Sequence, residues 1–265
     1  MGDLFLSMDQ VGKTFQDEDN RSFEVFSNID LTIEENQFVS LLGPSGCGKS
    51  TLLSMVAGLE DVTTGSIKLE GKDIKTAGPD RGMVFQQPSL FPWLDVKENV
   101  LFPLKGQWSK QEAEDRADRF LQMVHLSRFK KNYIHELSGG MQQRVAIARA
   151  LAMDPKVLLM DEPFGALDEQ TRHILHEELM KIWHETQKTI LFVTHSIQEA
   201  IKLSDRVIVM GTRPGRVIAD FDINLPRPRK RENENVIQLE RKVMTLLEGE
   251  INKVLKEELS HEVSP

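Results

Sequence analysis

From residue 3 to 35 polar and apolar positions alternate, interrupted by the polar run Gln16-Asp17-Glu18-Asp19-Asn20. A period of two is the mark of half-buried strands, so this segment predicts an antiparallel β layer with a loop at 16–20. Three continuous apolar runs follow later: Phe38-Val39-Ser40-Leu41-Leu42, Val157-Leu158-Leu159-Met160 and Ile190-Leu191-Phe192-Val193. Short runs without alternation predict strands buried on both faces. Leu52-Leu53-Ser54-Met55-Val56-Ala57 predicts a helix that ends near Gly58. Residues 36–86 and 155–225 thus alternate strand with helix, which predicts a parallel sheet covered by helices. Between 88 and 154 the strand signals vanish. Ala113, Ala117, Phe120, Leu121 and Val124 form one helical stripe there, and Val145, Ala148 and Ala152 another. The expectation is a helical lobe inserted into an α/β core, without repeats or a long heptad insertion.

After 225 the pattern changes again. Pro226-Arg227-Pro228-Arg229-Lys230-Arg231 predicts a basic, proline-stiffened linker. Val236, Leu239, Val243, Leu246, Leu247, Ile251, Val254 and Leu255 then recur at helical spacing. Two readings of that stripe stand: packing on the same chain or a second copy, or docking on a membrane partner or anionic lipid. The expected division is therefore 1–225 as one α/β domain carrying the lobe, and 226–265 as linker plus helical extension.

Composition narrows the setting. The formal charge of −8 over 265 residues gives no support for nucleic-acid binding. No run approaches the ~20 apolar residues that span a bilayer. Met1-Gly2-Asp3-Leu4 lacks the basic-then-apolar start of a signal peptide. The single cysteine, Cys47, leaves no internal disulfide to form and fits a reducing compartment.

The chemistry sits where strands end. Gly43-Pro44-Ser45-Gly46-Cys47-Gly48-Lys49-Ser50-Thr51 fits G-x-x-x-x-G-K-[ST] between a predicted strand and a predicted helix. Backbone N–H groups of such a loop wrap phosphates, Lys49 supplies a point charge, and the Ser50 hydroxyl suits Mg²⁺. Alkylation of Cys47 is expected to block binding there, with ligand protecting. A second strand delivers Asp161-Glu162-Pro163 to the crevice end of the sheet, where Asp161 can hold Mg²⁺ and Glu162 can polarise water. Leu137-Ser138-Gly139-Gly140-Met141-Gln142-Gln143-Arg144 opens a basic helix with a second glycine turn, another potential anion site. His173 and His176 sit three apart on a predicted helix. No cysteine or carboxylate pair completes a metal site with them, so they read as surface residues.

Over 1–225 these runs resemble the ATP-binding-cassette (ABC) ATPases, and further matches appear in the family's order. Phe15 matches the aromatic that stacks on adenine, with a core-filling role as the alternative beside Phe23 and Phe26. Gln86 matches the glutamine that senses Mg²⁺ and links to the membrane partner. Asp168, in Gly165-Ala166-Leu167-Asp168, matches the loop that crosses the dimer interface. His195 matches the histidine that contacts the γ-phosphate. The resemblance implies ATP and Mg²⁺ as cofactors, held by Phe15, Gly43 to Thr51, Ser50, Gln86 and Asp161. It implies catalysis by Glu162, His195 and Lys49. It also implies that Ser138, Gly139, Gly140 and Met141 of one subunit close on ATP bound to the other, in a head-to-tail dimer. Three positions depart from the common pattern: Met141 replaces glutamine, Phe15 replaces tyrosine or tryptophan, and Asn36 replaces a turn glycine. Asparagine tolerates the left-handed region, so that turn is expected to persist.

Arg213-Pro214-Gly215-Arg216-Val217-Ile218, Leu225-Pro226-Arg227-Pro228-Arg229 and Phe91-Pro92-Trp93-Leu94 resemble the ATPases of bacterial nitrate, sulfonate and taurine importers. Phe91 and Trp93 read either as core or as part of a groove for a permease helix. The implied function is an ATPase energising import of such a small solute, at the cytoplasmic face of the inner membrane. Its implied partners are a second copy, permease subunits and, indirectly, an extracytoplasmic solute-binding protein. An exporter subunit is the alternative within transport. A soluble ABC ATPase acting on nucleic acid, ribosomes or Fe–S assembly is the alternative outside it.

Overall fold

Eleven-residue and twelve-residue strands open the described chain, as the alternating pattern predicts. The computed structural model describes residues 5–262, with side chains as far as Lys253. Asp3 and Leu4 of the alternating segment, the Met1–Leu4 start, and the side chains of Val254 and Leu255 lie outside the described residues. In chain order the elements are β1 (Leu6–Gln16), β2 (Ser22–Ile33), β3 (Phe38–Leu42), α1 (Lys49–Ala57), β4 (Thr64–Leu69) and β5 (Lys72–Asp73). There follow β6 (Arg81–Val84), α2 (Val96–Leu101), α3 (Lys110–Met123), α4 (Gly139–Ala152), β7 (Val157–Asp161) and α5 (Glu169–Thr186). The last are β8 (Thr189–Thr194), α6 (Ile197–Leu203), β9 (Arg206–Gly211), β10 (Arg216–Asp222) and α7 (Glu234–Glu262). Two compact units result, Met1–Ala77 with Leu191–Pro265, and Gly78–Ile190.

In the first unit an antiparallel sheet runs in the order β2-β1-β4-β5. Leu6 on the central strand faces Ile33 on one side and Leu69 on the other. β4 and β5 belong to this layer, although 36–86 reads from sequence as strand alternating with helix. β4 pairs antiparallel with β1, and the two-residue turn Glu70-Gly71, both with positive φ (49° and 75°), folds β5 straight back onto β4. Such turns match strand twist and impose antiparallel pairing. Asn36 takes the left-handed conformation its turn requires, φ 63°.

β3 pairs in parallel with β9, from Val39 opposite Arg206 to Leu42 opposite Val209, and every β3 residue is buried. β10 closes on β9 antiparallel. Behind these strands, Val236 and Val243 of α7 are buried with Leu42, Ile201, Val207 and Val209, and Leu239 and Leu247 pack alongside. From Val236 to Leu247 the stripe on α7 is therefore packed on its own unit, whereas Ile251 beyond it is 46% exposed. The preceding basic segment is tied down as well. Arg229 is buried and donates to the carbonyls of Ile201, Ser204, Ile223 and Leu225. Burial, with Arg227 nearby, lowers its pKa to about 10. Arg227 reaches Asp205 at 2.6 Å and the Leu203 carbonyl at 2.6 Å.

In the second unit β6 pairs in parallel with β7, from Arg81 opposite Val157 to Val84 opposite Met160. α2 and α3 start on capping boxes, Asp95 with Glu98 and Ser109 with Glu112, which satisfy orphan N–H groups at both helix starts. α4 buries Val145, Ala148 and Ala152 and packs on α2 and α3. Small residues on that stripe let the helices approach closely. His176 of α5 corrects the surface reading: it is buried, with its ring edge-on to Phe164 at 5.2 Å. His173 is exposed and lies 3.7 Å from Glu177 one turn on.

Candidate nucleotide site

β3 runs into Gly43–Thr51, and α1 starts at Lys49. The loop turns through two left-handed glycines, Gly46 (φ 79°) and Gly48 (φ 91°). At Gly48 the space is closed too, since an added Cβ would stand 2.5 Å from the Phe26 ring and 2.8 Å from Val25. Phe26 is thus the core filler beneath the loop. Lys49 is buried and folds back over its own loop, donating to the carbonyls of Gly43 at 2.7 Å and Pro44 at 2.9 Å. Its Nζ also lies 3.7 Å from Cys47 Sγ. Cys47 is fully buried, and burial raises its thiol pKa despite the lysine beside it. That changes the expectation for alkylation: the folded loop offers little thiolate and little access, so the reaction is slow before any ligand protects.

Phe15, at the end of β1, is 41% exposed, which removes the core-filling alternative. One ring face carries the Lys13 ammonium, 4.6 Å from the centroid. Lys13 is itself fixed by Glu60 at 2.6 Å and the Asp61 carbonyl at 2.8 Å. At the end of β8, His195 is exposed in the step into α6. The step is braced on both sides: Thr194 Oγ1 donates to Glu199 at 2.5 Å and accepts from the Ser196 N–H at 3.0 Å. The Ser196 hydroxyl accepts from the Glu199 N–H and caps the helix.

In the second unit β7 delivers Asp161, and Glu162 follows in the left-handed region at φ 42°. For a residue with a Cβ that conformation costs about 1 kcal/mol or more, and such outliers gather at functional sites. Gln86 Nε2 and Glu162 Oε2 converge on Gly165, lying 3.5 Å and 3.6 Å from where its Cβ would stand. Asp168 caps α5 by accepting from the Thr171 N–H at 2.9 Å, and that bond holds its carboxyl below the usual range.

Ser138 caps α4, its Oγ accepting from the Met141 N–H at 3.3 Å. Ser138 and Gly139 are exposed, whereas Gly140 is buried. A Cβ on Gly140 would stand 2.6 Å from Thr171 Cγ2 of α5, so helix packing demands this glycine independently of any phosphate.

Further along, Phe91 contacts Trp93 (centroids 5.4 Å) and Phe102 (4.4 Å). Trp93 is 70% exposed and Phe102 46%, which contradicts a core role for Trp93. Sequence reading missed what holds this segment. Buried Asn99 bonds the backbone of Phe91 at both its N–H (2.8 Å) and carbonyl (3.1 Å). Arg149 donates to the carbonyls of Pro88 and Ser89. Gln143, also buried, donates to the Phe85 carbonyl at 3.3 Å. The available signal was a polar residue on each apolar helix face. Among the described residues no cluster of three or more His, Cys, Asp or Glu could hold a metal, and no helix is long and apolar enough to cross a membrane.

Comparison with known proteins matches residues 26–165 to the family described as ABC transporter. An uncharacterized ABC transporter ATP-binding protein of Methanocaldococcus jannaschii is 49% identical over 95% of this chain and 94% of its own length. The aliphatic sulfonates import ATP-binding protein of Bacillus cereus is 44% identical over 92% and 96%. The nitrate import ATP-binding protein of Synechocystis is 48% identical over 83% of each chain. A solved dimeric, post-hydrolysis ATP-binding cassette bound to ADP and phosphate superposes with a TM-score of 0.73. It is 35% identical and covers 83% of this chain and all of its own.

Proposed function

This chain belongs to the ABC transporter family of ATP-binding subunits and is an ATPase with their P-loop α/β fold, and from that premise we propose that it powers import of a small solute such as nitrate, a sulfonate, taurine or a related compound. Similarity to import subunits along nearly the whole chain supports the direction of transport. The observation that carries the motor reading is local. Gln86 and Glu162 both lie against Gly165, and a few residues beyond Gln86 the chain presents an exposed aromatic face held by Asn99 and Arg149. A change at the Glu162 carboxylate is thereby one short segment away from a surface suited to a permease helix.

In this reading 1–225 is the ATPase domain, with the lobe at 88–154, and 226–265 is an extension strapped to it. Phe15 stacks on adenine, and the loop Gly43, Pro44, Ser45, Gly46, Cys47, Gly48, Lys49, Ser50 and Thr51 wraps the phosphates. Lys49 exchanges the carbonyls of Gly43 and Pro44 for phosphate oxygens. Mg²⁺, when bound, would be held by Ser50, Gln86 and Asp161, whose hydroxyl, amide and carboxylate oxygens are the hard donors such an ion takes. When bound, that ion neutralises charge on the transferred phosphoryl group. Glu162 accepts the proton of the attacking water, and His195 donates to the γ-phosphate. Ser138, Gly139, Gly140 and Met141 close on ATP held by a second copy, and Asp168 lies at the seam between copies. The complex sits peripherally at the cytoplasmic membrane face through its permease, and a solute-binding protein delivers the cargo.

Glu162→Gln tests the assignment. The variant is expected to bind ATP, accumulate as a dimer in size-exclusion chromatography, and lose about 10²- to 10⁴-fold in phosphate release. Near-normal turnover would sink the catalytic assignment. Growth of a deletion strain on single nitrogen or sulfur sources identifies the solute.

A further inference from the structure

The turn between β9 and β10 is wedged against the phosphate loop from inside the first unit. The Gly215 N–H donates to the Val25 carbonyl at 2.7 Å. A Cβ on Gly215 would collide with the Cys47 carbonyl and stand 2.9 Å from that of Val25. Turn and loop are in direct backbone contact, so neither moves without the other. The far side of this turn is gripped by one guanidinium. Arg216 Nη1 donates to the carbonyls of Thr212 (3.2 Å) and Pro214 (3.3 Å), while Nη2 donates to Glu250 at 2.7 Å. Glu250, on α7, is buried and accepts a second bond from Lys253 at 2.7 Å. Its carboxylate also presses on β9, since a Cβ on Gly211 would stand 2.5 Å from Glu250 Oε2.

We infer that Arg216 and Glu250 are positioning residues that latch α7 to the phosphate loop, through the turn at Gly215 and the Cys47 backbone, and so set the affinity for nucleotide. The inference rests on the reading of Gly43–Thr51 as the nucleotide loop. A planar fork that collects two carbonyls and a carboxylate fixes the turn as one rigid piece. Without Arg216 the carbonyls of Thr212 and Pro214 lose their shared donor and buried Glu250 keeps only Lys253; without Glu250 the half-exposed guanidinium loses its anchor on α7, and either change releases the turn from the helix. Cys47 lies between the two left-handed glycines, so a shift of its carbonyl re-aims the N–H groups around it. The C-terminal helix thereby acts as a brace for the nucleotide site.

The test uses the full chain with three readouts: affinity for a non-hydrolysable ATP analogue, iodoacetamide alkylation of Cys47 without nucleotide, and the melting temperature. Glu250→Ala and Arg216→Lys are expected to weaken analogue binding about tenfold and to speed alkylation comparably. Glu250→Gln keeps an oxygen toward Arg216 and should retain most of the affinity. Val243→Ala, on the same helix but outside the latch, should lower the melting temperature and leave affinity unchanged. If Glu250→Ala does not fold, Arg216→Lys against Glu250→Gln decides. Affinity and alkylation within about twofold of the parent in Arg216→Lys would overturn the latch. So would a loss in Val243→Ala equal to that in the latch variants. Lys49→Ala separates the layers. Binding lost there but untouched by latch variants removes the latch alone, and binding retained there removes the nucleotide reading and the latch together.

Discussion

Two glycine turns open helices in this chain, and they are built in opposite senses. The loop at Gly43–Thr51 is turned inward: Lys49 spends its ammonium on the loop's own carbonyls, and Cys47 is shut away beneath it. The turn at Ser138–Met141 is complete as it stands. Its serine caps its own helix, its second glycine is jammed against Thr171, and Ser138 and Gly139 face outward. One turn must exchange internal bonds to take a ligand. The other is a finished surface that can close on something presented to it. Glycine alone does not distinguish these cases; the neighbours do.

The largest effect expected from this contrast is at Lys49. Lys49→Ala should lower ATP hydrolysis by about 10²- to 10³-fold, as loss of a preorganised charge-stabilising donor does, with the melting temperature near the parent's. A large drop in melting temperature with activity per folded molecule preserved would make the lysine structural. Next comes Gly140→Ala, which drives a methyl into Thr171 and should cost about 1–3 kcal/mol in denaturant unfolding. Adding Thr171→Ser removes the opposing Cγ2 and should restore most of that loss; no recovery would break the packing account of this glycine. The smallest effect is at Ser138, where alanine removes a cap worth about 1 kcal/mol. Should Ser138→Ala leave unfolding untouched yet reduce hydrolysis, its hydroxyl is a contact and not a cap.

Much of the site was legible because its elements are local in sequence. The run from Phe38 to Thr51 carries strand, loop and helix in order, and Asp161-Glu162 stands at the end of an apolar run that reads as a buried strand. What escaped notice depended on partners far away in the chain. Nothing in Lys68 to Asp73 says that these residues belong to the antiparallel layer; Lys68 and Leu69 pair with β1, and the turn at Glu70-Gly71 folds Lys72 and Asp73 back onto them. Arg227 and Arg229 look like a solvated basic run, yet the open carbonyls at the end of α6 (Ile201, Leu203 and Ser204) need donors, and these two arginines supply them. His176 looks like a surface residue until Phe164 is placed beside it. Glu250 and Arg216 lie 34 positions apart, too far for any pattern along the chain to join them.

The burial of Cys47 has a consequence for how this protein meets oxidants. Thiolates are the form that attacks peroxides and disulfides, and the only sulfhydryl in the sequence is both shielded and kept largely protonated. While the loop keeps its shape this thiol is out of easy reach, so oxidation at Cys47 should follow, and not precede, opening of the loop.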